Sequence, residues 1–465
     1  MSNLQYQMLQ MLEGLQRPEG ILCIFLFLLM GVMTVALQWM RWVLLALMLW
    51  VCTFGISMWT GSNFAFPLQQ IRSFGRGICG VLLVMLLIPT LRSNRGWRSH
   101  LILGGLLGFF GFQMVSILRI LFAGDFARGY FGVITYSLTL ITLGVGMSRW
   151  LQRPEHAIAG IRALAAGAAL FCTGSLYQWL VNPGQAVWAG RFIGTTGNAN
   201  HTAMVLGVAI PPIVYLFLRS GSSLIMRGLT AALAATCVLL LLWTGSRTGF
   251  VTALFGLVLL FRLRLGKLTV AIVCCGVFAF IGLTLLDQAG IVSIAGRLLS
   301  FDDTRSVVWA SMFEQFKSSP LLGVNQEQAA FSENSYLLVL ARTGILGACP
   351  FIVACVLMVA AMVRLQRLRP YLGEHVLLAD LTTAGLCAIA VGGMFEGYLY
   401  ATYSYPLFAV WIYGAIMLFL IDYGRAMAYQ MQYAPQEWEA QWAEGQYEEQ
   451  PAHGQYSVPH EQYHG

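Results

Sequence analysis

The sequence predicts an all-α polytopic membrane protein with about 12–13 transmembrane helices. Of its 465 residues, 58% are hydrophobic and only 10% are charged, and the mean hydropathy is +0.70. A soluble domain of average composition has about 25% charged residues, so a water-soluble enzyme of this size is excluded. Runs of about 18 or more apolar residues, enough to cross a bilayer as a helix, recur along the chain.

The apolar segments set the predicted number of spans. One of them, 78–91, is short for the roughly 20 residues that a bilayer requires, which leaves the count at 12 or 13. The candidate spans are 21–38, 42–59, 78–91, 101–122, 129–148, 156–181, 202–218, 224–243, 248–264, 268–286, 335–363, 376–396 and 404–421.

Short arginine-rich loops set the predicted orientation, because such loops stay on the cytoplasmic side of a membrane. From residue 92 onward they alternate with the other loops, so that 182–201, 244–247 and 287–334 fall on the outer face. The segment 287–334 is too long to be an idle connector. The arginine-rich loops are 92–98, 149–153, 219–227, 262–267 and 364–369.

We divide the chain into N-terminal transmembrane helices (1–154), a membrane domain (155–422) that includes the outer loop 287–334, and a tail (423–465). The tail has six Glu and one Arg and lacks apolar periodicity, so we predict a disordered cytoplasmic tail. All ten cysteines lie in apolar runs and are predicted to pack as small apolar residues. We see no phosphate-binding loop or zinc motif, and we predict no cofactor, no metal site and no nucleic-acid partner.

The first candidate site lies in 188–202 and combines Arg191 with Gly194, Gly197, Asn198, Asn200, His201 and Thr202. Such a stretch supplies free backbone N–H groups before a helix, an arrangement that binds anions. The alternative is a turn followed by a helix cap, with Asn200 or Thr202 as the capping residue. The fixed charge of Arg191 favours a functional site.

The second candidate is the turn Thr244-Gly-Ser246-Arg247, which joins two apolar spans. Arg247 is expected at or just inside the outer membrane boundary. An ionisable group at that depth is costly and indicates a functional site. The alternative is that the side chain extends to the interface and leaves its charge in water.

The third candidate is the long outer loop. Asp303 or Thr304 is suited to cap a helix that runs to about Lys317, and Pro320 follows its end. Val308, Met312 and Phe316 recur at helical spacing, with Trp309 and Phe313 alongside, which predicts an amphipathic helix against the membrane body.

Arg305 lies in the first turn of this predicted helix, where the helix dipole disfavours a cation. Either Asp302 and Asp303 neutralise it, or it shares an anionic ligand with the helix N-terminus. Arg297, earlier in the loop, is a reserve cation.

The fourth candidate is Glu333 with Asn334, directly before the span that begins near Ser335. A carboxylate at a partly dehydrated helix N-terminus can act as a general base. The alternative is that Glu333 only stabilises the helix dipole.

In this order, the four features resemble the O-antigen ligase and polymerase family of bacterial membranes. The resemblance covers about residues 155 to 350. It is carried by Arg191 with Gly-Asn-Ala-Asn-His, by Ser246-Arg247, by Arg305 with Trp309 and Pro320-Leu-Leu-Gly323, and by Glu333-Asn-Ser-Tyr-Leu with Gly344-Ile-Leu-Gly.

The resemblance implies a metal-independent membrane glycosyltransferase of the C type in the bacterial inner membrane, with its site on the periplasmic face. It implies a glycan on undecaprenyl diphosphate as donor, and an acceptor hydroxyl on another glycan or on lipid A-core. Arg191, Arg247 and Arg305, with Arg297 in reserve, would then bind the lipid diphosphate. Glu333, Arg247 and Arg305 would be catalytic, and His201, Asn198, Asn200 and Asn334 are further candidates.

One departure from the family pattern affects the expected activity. Ligases of this family typically have His-Asn where this chain has Glu333-Asn334, and that histidine is regarded as the base. Either Glu333 or His201 therefore replaces it. The family's polymerases more often have an acidic residue here, which favours polymerisation of O-antigen or exopolysaccharide over ligation.

Two other functions use the same donor. A flippase for lipid-linked sugar would need polar lining in both leaflets, whereas the sequence concentrates it on one face. Inward-facing Arg119, Arg342 or Glu396 would favour the flippase. Transfer of the glycan to a secreted protein would use the same chemistry and is not distinguished by the sequence.

Overall fold

A computed structural model of the chain describes most of the residues, and the statements below concern these alone. The predicted spans 21–38 and 268–286 lie almost entirely outside them, as do Arg297, Asp302 and Asp303. The described residues are 29, 33, 37, 39–55, 64–91, 100–122, 124, 126–219, 223–262, 305–324, 333–400 and 403–443.

The described chain is almost entirely α-helical, which confirms the predicted fold class. Its first half consists of helices α1 (Met40–Val51), α2 (Leu68–Leu91), α3 (His100–Phe122), α4 (Phe126–Thr139), α5 (Met147–Trp150), α6 (Pro154–Val181) and α7 (Pro183–Ala186), with a π-helical segment (Leu140–Gly146) between α4 and α5.

A two-stranded hairpin, β1 (Val187–Trp188) and β2 (Arg191–Phe192), follows α7. The second half then consists of helices α8 (Ala199–Leu218), α9 (Leu224–Thr244), α10 (Arg247–Phe261), α11 (Arg305–Ser318), α12 (Ser335–Leu368), α13 (Val376–Gly393) and α14 (Tyr405–Ala443), with short 3₁₀ turns at Cys52–Gly55, Gly194–Thr196, Arg369–Tyr371, Gly373–His375 and Tyr398–Tyr400.

Within the described residues, seven helices are long and apolar enough to cross a membrane. An eighth candidate is α2, which bends by 72° between Leu68–Gly75 and Gly77–Ile88. Three shorter apolar helices, Met40–Phe54, Leu107–Phe122 and Arg247–Phe261, correspond to further predicted spans. Each predicted span that falls within the described residues therefore has a helical counterpart.

The most enclosed spans form the centre of the bundle. In α14 the most apolar stretch is 89% buried, and in α8 and in the span that contains α13 it is 78% buried. The corresponding stretches of α9 and α12 are only 22% and 28% buried. Because apolar side chains that are exposed on a spanning helix can face lipid, α9 and α12 are expected to form part of the bilayer-facing surface.

Hydrogen bonds between helix ends define one end of the bundle, called the upper end. There, α8, α10 and α12 begin, and α9 and α13 end, because Arg191 of the hairpin bonds to the last carbonyl of α9 and Ser335 of α12 bonds to the segment after α13. The segments 182–201 and 244–247, which were predicted to lie on the outer face, meet at this end.

The predicted tail begins as a helix. Helix α14 continues without a break from the central span to Ala443, past the predicted boundary at 423. The sequence between is rich in Ala, Gln and Glu, which favour helix. The remainder, 444–465, lies outside the described residues.

Candidate active site

Arg191 is held between the ends of two helices. The hairpin turn at Ala189 and Gly190, both at positive φ, places Arg191 at the start of β2, and Phe192 stacks on Trp243 of α9 with ring centroids 5.0 Å apart. Arg191 Nε donates to the Thr244 carbonyl at 2.7 Å. This carbonyl is at the end of α9, where the helix dipole favours a cation.

The same guanidinium group reaches α8. Arg191 Nη2 donates to Asn200 Oδ1 at 2.9 Å. Asn198 is the residue that caps α8, because its Oδ1 accepts from the backbone N–H groups of Asn200 at 2.8 Å and His201 at 3.3 Å. The expectation that Asn200 or Thr202 caps this helix is therefore wrong. Asn200 is free of the capping role and binds Arg191, while Thr202 Oγ1 donates to the Ile193 carbonyl at 2.7 Å.

His201 lies in the first turn of α8, next to Asn200. Its Nδ1 is buried and makes no hydrogen bond to the described residues. The hydrogen bonds that join Arg191 to Asn200 and to α9 do not involve its ring. The structure therefore places His201 near Arg191, and His201 forms no ion pair with a described carboxylate.

The Ser246-Arg247 turn is the junction of α9 and α10. Gly245 ends α9 at a φ of 59°, and α10 begins at Arg247. The Arg247 side chain is exposed, and Ser246 Oγ is buried without a hydrogen-bond partner among the described atoms. Arg247 therefore lies at the upper end with an exposed side chain.

Arg305 is the first residue of α11 and brings this helix to the turn. Its Nη2 donates to Thr248 Oγ1 at 2.7 Å and lies 3.9 Å from Glu396 Oε1. Its guanidinium carbon is 5.1 Å from the centre of the Phe395 ring. The predicted position of Arg305 in a first helical turn is confirmed. The carboxyl group beside it is that of Glu396, which is far from Arg305 in the sequence.

Helix α11 rests on the bundle through the predicted apolar face. Met312 is 1% exposed, and Val308, Trp309 and Phe316 are partly buried. The Trp309 ring lies 6.4 Å from that of Phe395. Phe313, which was predicted to lie alongside, is 44% exposed. The helix thus positions Arg305 by burying one narrow apolar face.

Glu396 is a site residue that the sequence did not assign to the outer cluster. It follows the end of α13, its side chain is almost fully buried, and its carbonyl accepts a hydrogen bond from Ser335 Oγ at 2.5 Å. Burial raises the pKa of its carboxyl to about 8 against the opposing effects of Arg305, Arg191 and a hydrogen bond with Asn200. An acid between two apolar spans is the signal that could have identified it.

Glu333 precedes the cap of α12. Asn334 Oδ1 accepts from the backbone N–H groups of Tyr336 at 2.9 Å and Leu337 at 3.0 Å, so Asn334 is the cap. Glu333 is partly buried, and its negative charge contributes to the raised pKa of Glu396. The two carboxyl groups are therefore close enough to interact, with Glu333 the more accessible of the two.

The motifs after α11 and within α12 form one junction. Gly344 interrupts α12 at φ 57° and ψ −162°, and the freed N–H groups of Ile345 and Leu346 donate to the carbonyls of Pro320 and Leu321 at 2.9 and 3.2 Å. A Cβ on Gly344 would lie 2.4 Å from the Leu321 carbonyl. This close contact joins the two glycine-containing motifs.

These contacts bring the separate predicted features to one place. Hydrogen bonds, a close charge contact and electrostatic effects connect Arg191, Asn200, Arg305 and Glu396, and Arg247 and Glu333 lie beside them in sequence and space. Among the described residues, no group of three or more His, Cys, Asp or Glu side chains is placed to hold a metal ion. The site is a cluster of guanidinium groups with two carboxyl groups.

The fold and the site together define a class of protein. It is a multi-pass helical membrane protein with a cluster of arginines and acids at one end. Residues 231–352 match the model of a protein family described as O-antigen ligase. The match confirms the resemblance to the O-antigen ligase/polymerase family that the motifs predicted. A search of curated proteins gave no match.

The matched segment contains Arg247, Arg305, Glu333 and the junction at Gly344. Arg191 and Glu396 lie outside it on either side. The matched segment supports an O-antigen ligase/polymerase-type membrane enzyme, and members of that family are glycosyltransferase-like.

Proposed function

We propose that this enzyme transfers a glycan from undecaprenyl diphosphate to a hydroxyl group of another sugar, and that it acts as a polymerase of surface polysaccharide. The observation that supports this most is the convergence of Arg191 and Arg305 on Glu396 at the end of the bundle that also carries Arg247 and Glu333. We place this end at the periplasmic face of the bacterial inner membrane, because the described parts of the arginine-rich short loops lie at the other end.

The arginines act on the leaving group. When the bond between the sugar C1 and the diphosphate oxygen breaks, its electron pair stays on the lipid diphosphate. Guanidinium groups that are already in position stabilise that charge without reorganising. Arg305 and Arg247 are assigned to this role, with Arg191 and Arg297 as further ligands of the diphosphate.

Glu333 acts on the acceptor. It takes the proton of the acceptor hydroxyl as the oxygen forms the new bond to C1, and it releases that proton to water afterwards. A positioned base contributes typically about 10²–10⁴-fold. Glu333 suits this role better than Glu396, because it is more accessible and because a carboxyl with a pKa of about 8 is mostly protonated at neutral pH.

Protonated Glu396 has a different use. As a neutral acid it leaves the charge of Arg305 available for the donor, although the two groups are only 3.9 Å apart. As a carboxylate it would compete with the diphosphate for the same guanidinium group. The buried acid therefore lies beside the cation without neutralising it, while Thr248 Oγ1 accepts the hydrogen bond of Arg305.

Transport of the lipid-linked sugar is less well supported. The three residues that would favour a flippase, Arg119, Arg342 and Glu396, contact residues of the upper end. At the other end of the described bundle, the nearly buried Asp380 forms a two-point pair with Arg369, at 3.2 and 3.1 Å. This pair satisfies its own charges and offers no path for a polar head group.

The decisive experiment is a glycolipid profile of a strain that lacks this chain, with lipid A-linked and undecaprenyl-linked glycans resolved. We expect single repeat units on lipid A, or short oligosaccharides on the carrier, and no long polymer. Long polymer stranded on the undecaprenyl carrier with bare lipid A would instead identify a ligase. An unchanged polysaccharide profile would overturn the proposal.

A further inference from the structure

We propose that Trp188 stacks on a sugar ring of the donor glycan and so forms a sugar subsite beside the cluster of guanidinium groups. The inference rests on the proposed function, because it takes the position of the lipid diphosphate from the arginines that were assigned to it. It extends that function to the carbohydrate part of the donor, since the guanidinium groups recognise the charge of the diphosphate and Trp188 recognises the sugar.

The hairpin that carries Trp188 has two different faces. Val187 pairs with Phe192, and Trp188 pairs with Arg191. Because directly paired side chains lie on the same face of a hairpin and neighbours along a strand alternate, Val187 and Phe192 share one face, while Trp188 and Arg191 share the other. Phe192 is fully buried and stacks on Trp243, so the first face is turned towards the bundle.

The second face is directed towards the candidate site. Ala189 and Gly190 both have positive φ, 48° and 74°, as a tight two-residue hairpin turn requires. This turn holds Trp188 directly opposite Arg191, so that their side chains begin about 5 Å apart. From there the guanidinium group of Arg191 reaches the end of α9 and the first turn of α8. Trp188 therefore lies beside the cluster and on the same side of the hairpin.

Trp188 is the large exposed side chain of this face. It is 67% exposed, and its ring stacks on no aromatic ring of the described residues. Two other tryptophans at this end, Trp179 and Trp243, contact each other with ring centroids 5.3 Å apart. An indole ring offers a broad apolar surface together with an N–H donor. Trp188 thus presents both to a ligand that is held by the neighbouring cation.

A sugar ring has the matching chemistry. A pyranose has C–H groups on one side of the ring, which pack against an aromatic plane, and hydroxyl groups around its edge, which bond to water or to polar groups. In the donor, the first sugar is attached to the diphosphate through its C1. When Arg191 and its neighbours bind the diphosphate, one of the first sugar rings of the glycan reaches Trp188, because both side chains begin on one face of the hairpin.

An exposed tryptophan can also anchor a protein at the boundary of the membrane. At this end of the bundle, the last turn of α6 already presents exposed apolar side chains in a row, with Leu180 72% and Val181 55% exposed. Trp188 instead shares its face of the hairpin with a charged residue of the site. The two roles also differ in the side chains that can fill them, because a lipid anchor requires apolar bulk whereas a sugar requires a flat ring.

The test is the affinity of the full chain in nanodiscs for two ligands, bare undecaprenyl diphosphate and the carrier-linked repeat unit isolated from the strain that lacks this chain. We expect the wild type to bind the carrier-linked repeat unit more tightly than the bare carrier. Trp188→Leu keeps apolar bulk and removes the flat ring, so it should weaken binding of the repeat unit by about three- to tenfold and leave binding of the bare carrier unchanged. Trp188→Phe keeps a flat ring and should retain most of the wild-type affinity.

Trp39→Leu is the matched control for the loss of an exposed tryptophan. Trp39 directly precedes α1 and is 57% exposed. Three residues further on, Trp42 contacts Trp150 at 6.2 Å, next to the arginine-rich segment 149–153, so Trp39 lies at the other end of the described bundle. Trp39→Leu should bind both ligands as the wild type does.

Arg247→Ala tests the diphosphate site separately and should bind both ligands more weakly. Its matched control is Arg367→Gln, which changes an exposed arginine at the other end of the described bundle and should bind both as the wild type does. Unchanged affinity of Arg247→Ala for both ligands would contradict the proposed diphosphate site, which is a failure distinct from that of the sugar subsite.

Three outcomes would overturn the sugar subsite alone. The first is wild-type affinity of Trp188→Leu for the repeat unit, or equal affinity of the wild type for the two ligands. The second is an equal loss in Trp188→Leu and Trp188→Phe, which would indicate a lipid anchor. The third is an equal loss of affinity for the bare carrier and for the repeat unit in Trp188→Leu, which would indicate that Trp188 only supports the hairpin.

Discussion

Arg305 Nη2 lies 3.9 Å from Glu396 Oε1 and, at the same time, 2.7 Å from Thr248 Oγ1. One guanidinium group thus connects the first turn of α11, the first turn of α10 and the segment after α13. The pKa of the Glu396 carboxyl is raised to about 8, so this group loses its proton only near that pH. The charge interaction between Arg305 and Glu396 therefore depends on pH. It is the most specific feature of the site and leads to the first prediction.

Glu396→Gln is expected to change how stability depends on pH. The folded-state pKa of about 8 lies above the ordinary carboxyl value of 4.5. Between these values the folded chain binds a proton that the unfolded chain lacks, so the free energy of unfolding falls as pH rises and the loss is complete above about pH 8. Glutamine cannot ionise and should remove this decline.

The measurement is the thermal unfolding midpoint in detergent between about pH 5 and about pH 9. Towards the alkaline end of that range, the unfolding midpoint of the variant should rise relative to that of the wild type. Glu314→Gln, which changes an exposed acid paired with Lys317 at 2.8 Å, is the control and should follow the wild type. Parallel curves for the wild type and Glu396→Gln would show that Glu396 ionises normally.

Polymer synthesis by the wild type should also weaken above about pH 8, as Glu396 ionises beside Arg305.

Arg247→Ala is expected to abolish polymer formation while the protein remains in the membrane. Loss of a preorganised group that stabilises developing charge typically costs about 10²–10³-fold, and Arg247 is exposed at the upper end, where its removal leaves no cavity. Polymer length and membrane abundance are measured together, with Arg367→Gln as control. Normal polymer from Arg247→Ala would sink the diphosphate assignment.

Glu333→Gln keeps the shape of the side chain and removes its basicity. We expect turnover to fall by about 10²–10⁴-fold with little change in donor binding. Glu333→Asp retains a carboxylate at a greater distance and should keep part of the activity. Wild-type turnover by Glu333→Gln would assign the base elsewhere, with His201 the next residue to test.

The sequence predicted the fold class and singled out most residues of the candidate site because both depend on patterns that are local in the chain. Apolar runs identified each described span. Arg247 and Glu333 stood out as charged residues beside such a run, Arg191 as a cation in a Gly- and Asn-rich stretch before a span, and Arg305 as a cation in the first turn of a predicted helix. The sequence could suggest that these residues come together only because their loops were all predicted to lie on the outer face. The 3.9 Å approach of Arg305 to Glu396 depends on the packing of α11 against the bundle.

Glu396 and the Asn198 cap show where sequence reasoning ended. An acid after a span can face either an aqueous boundary or a buried cation, and only the position of Arg305 distinguishes the two. Asn198, Asn200 and Thr202 all suit a helix cap by residue type. Asn200 instead accepts a hydrogen bond from Arg191, and Thr202 donates to the Ile193 carbonyl, so Asn198 is left to cap the helix.

The last prediction concerns the junction that positions α11. Gly344 has φ 57° and ψ −162°, a conformation that side-chain-bearing residues adopt at a cost of about 1–3 kcal/mol. A Cβ there would also lie 2.4 Å from the Leu321 carbonyl carbon and oxygen. Gly344→Ala should therefore separate the Pro320-Leu321 backbone from α12, lower the unfolding midpoint and reduce activity, because Arg305 is carried by the helix that ends at this junction.

Gly228→Ala is the matched control for that change. Gly228 lies in α9, and nothing lies within 4 Å of a Cβ placed on it. Since alanine favours a helix over glycine by about 1 kcal/mol, this variant should be as stable as the wild type or slightly more so. Unfolding midpoints and polymer yields are compared for the three chains. If Gly344→Ala matched the wild type in both, the backbone contact between the two motifs would not be what holds α11 and Arg305 in place.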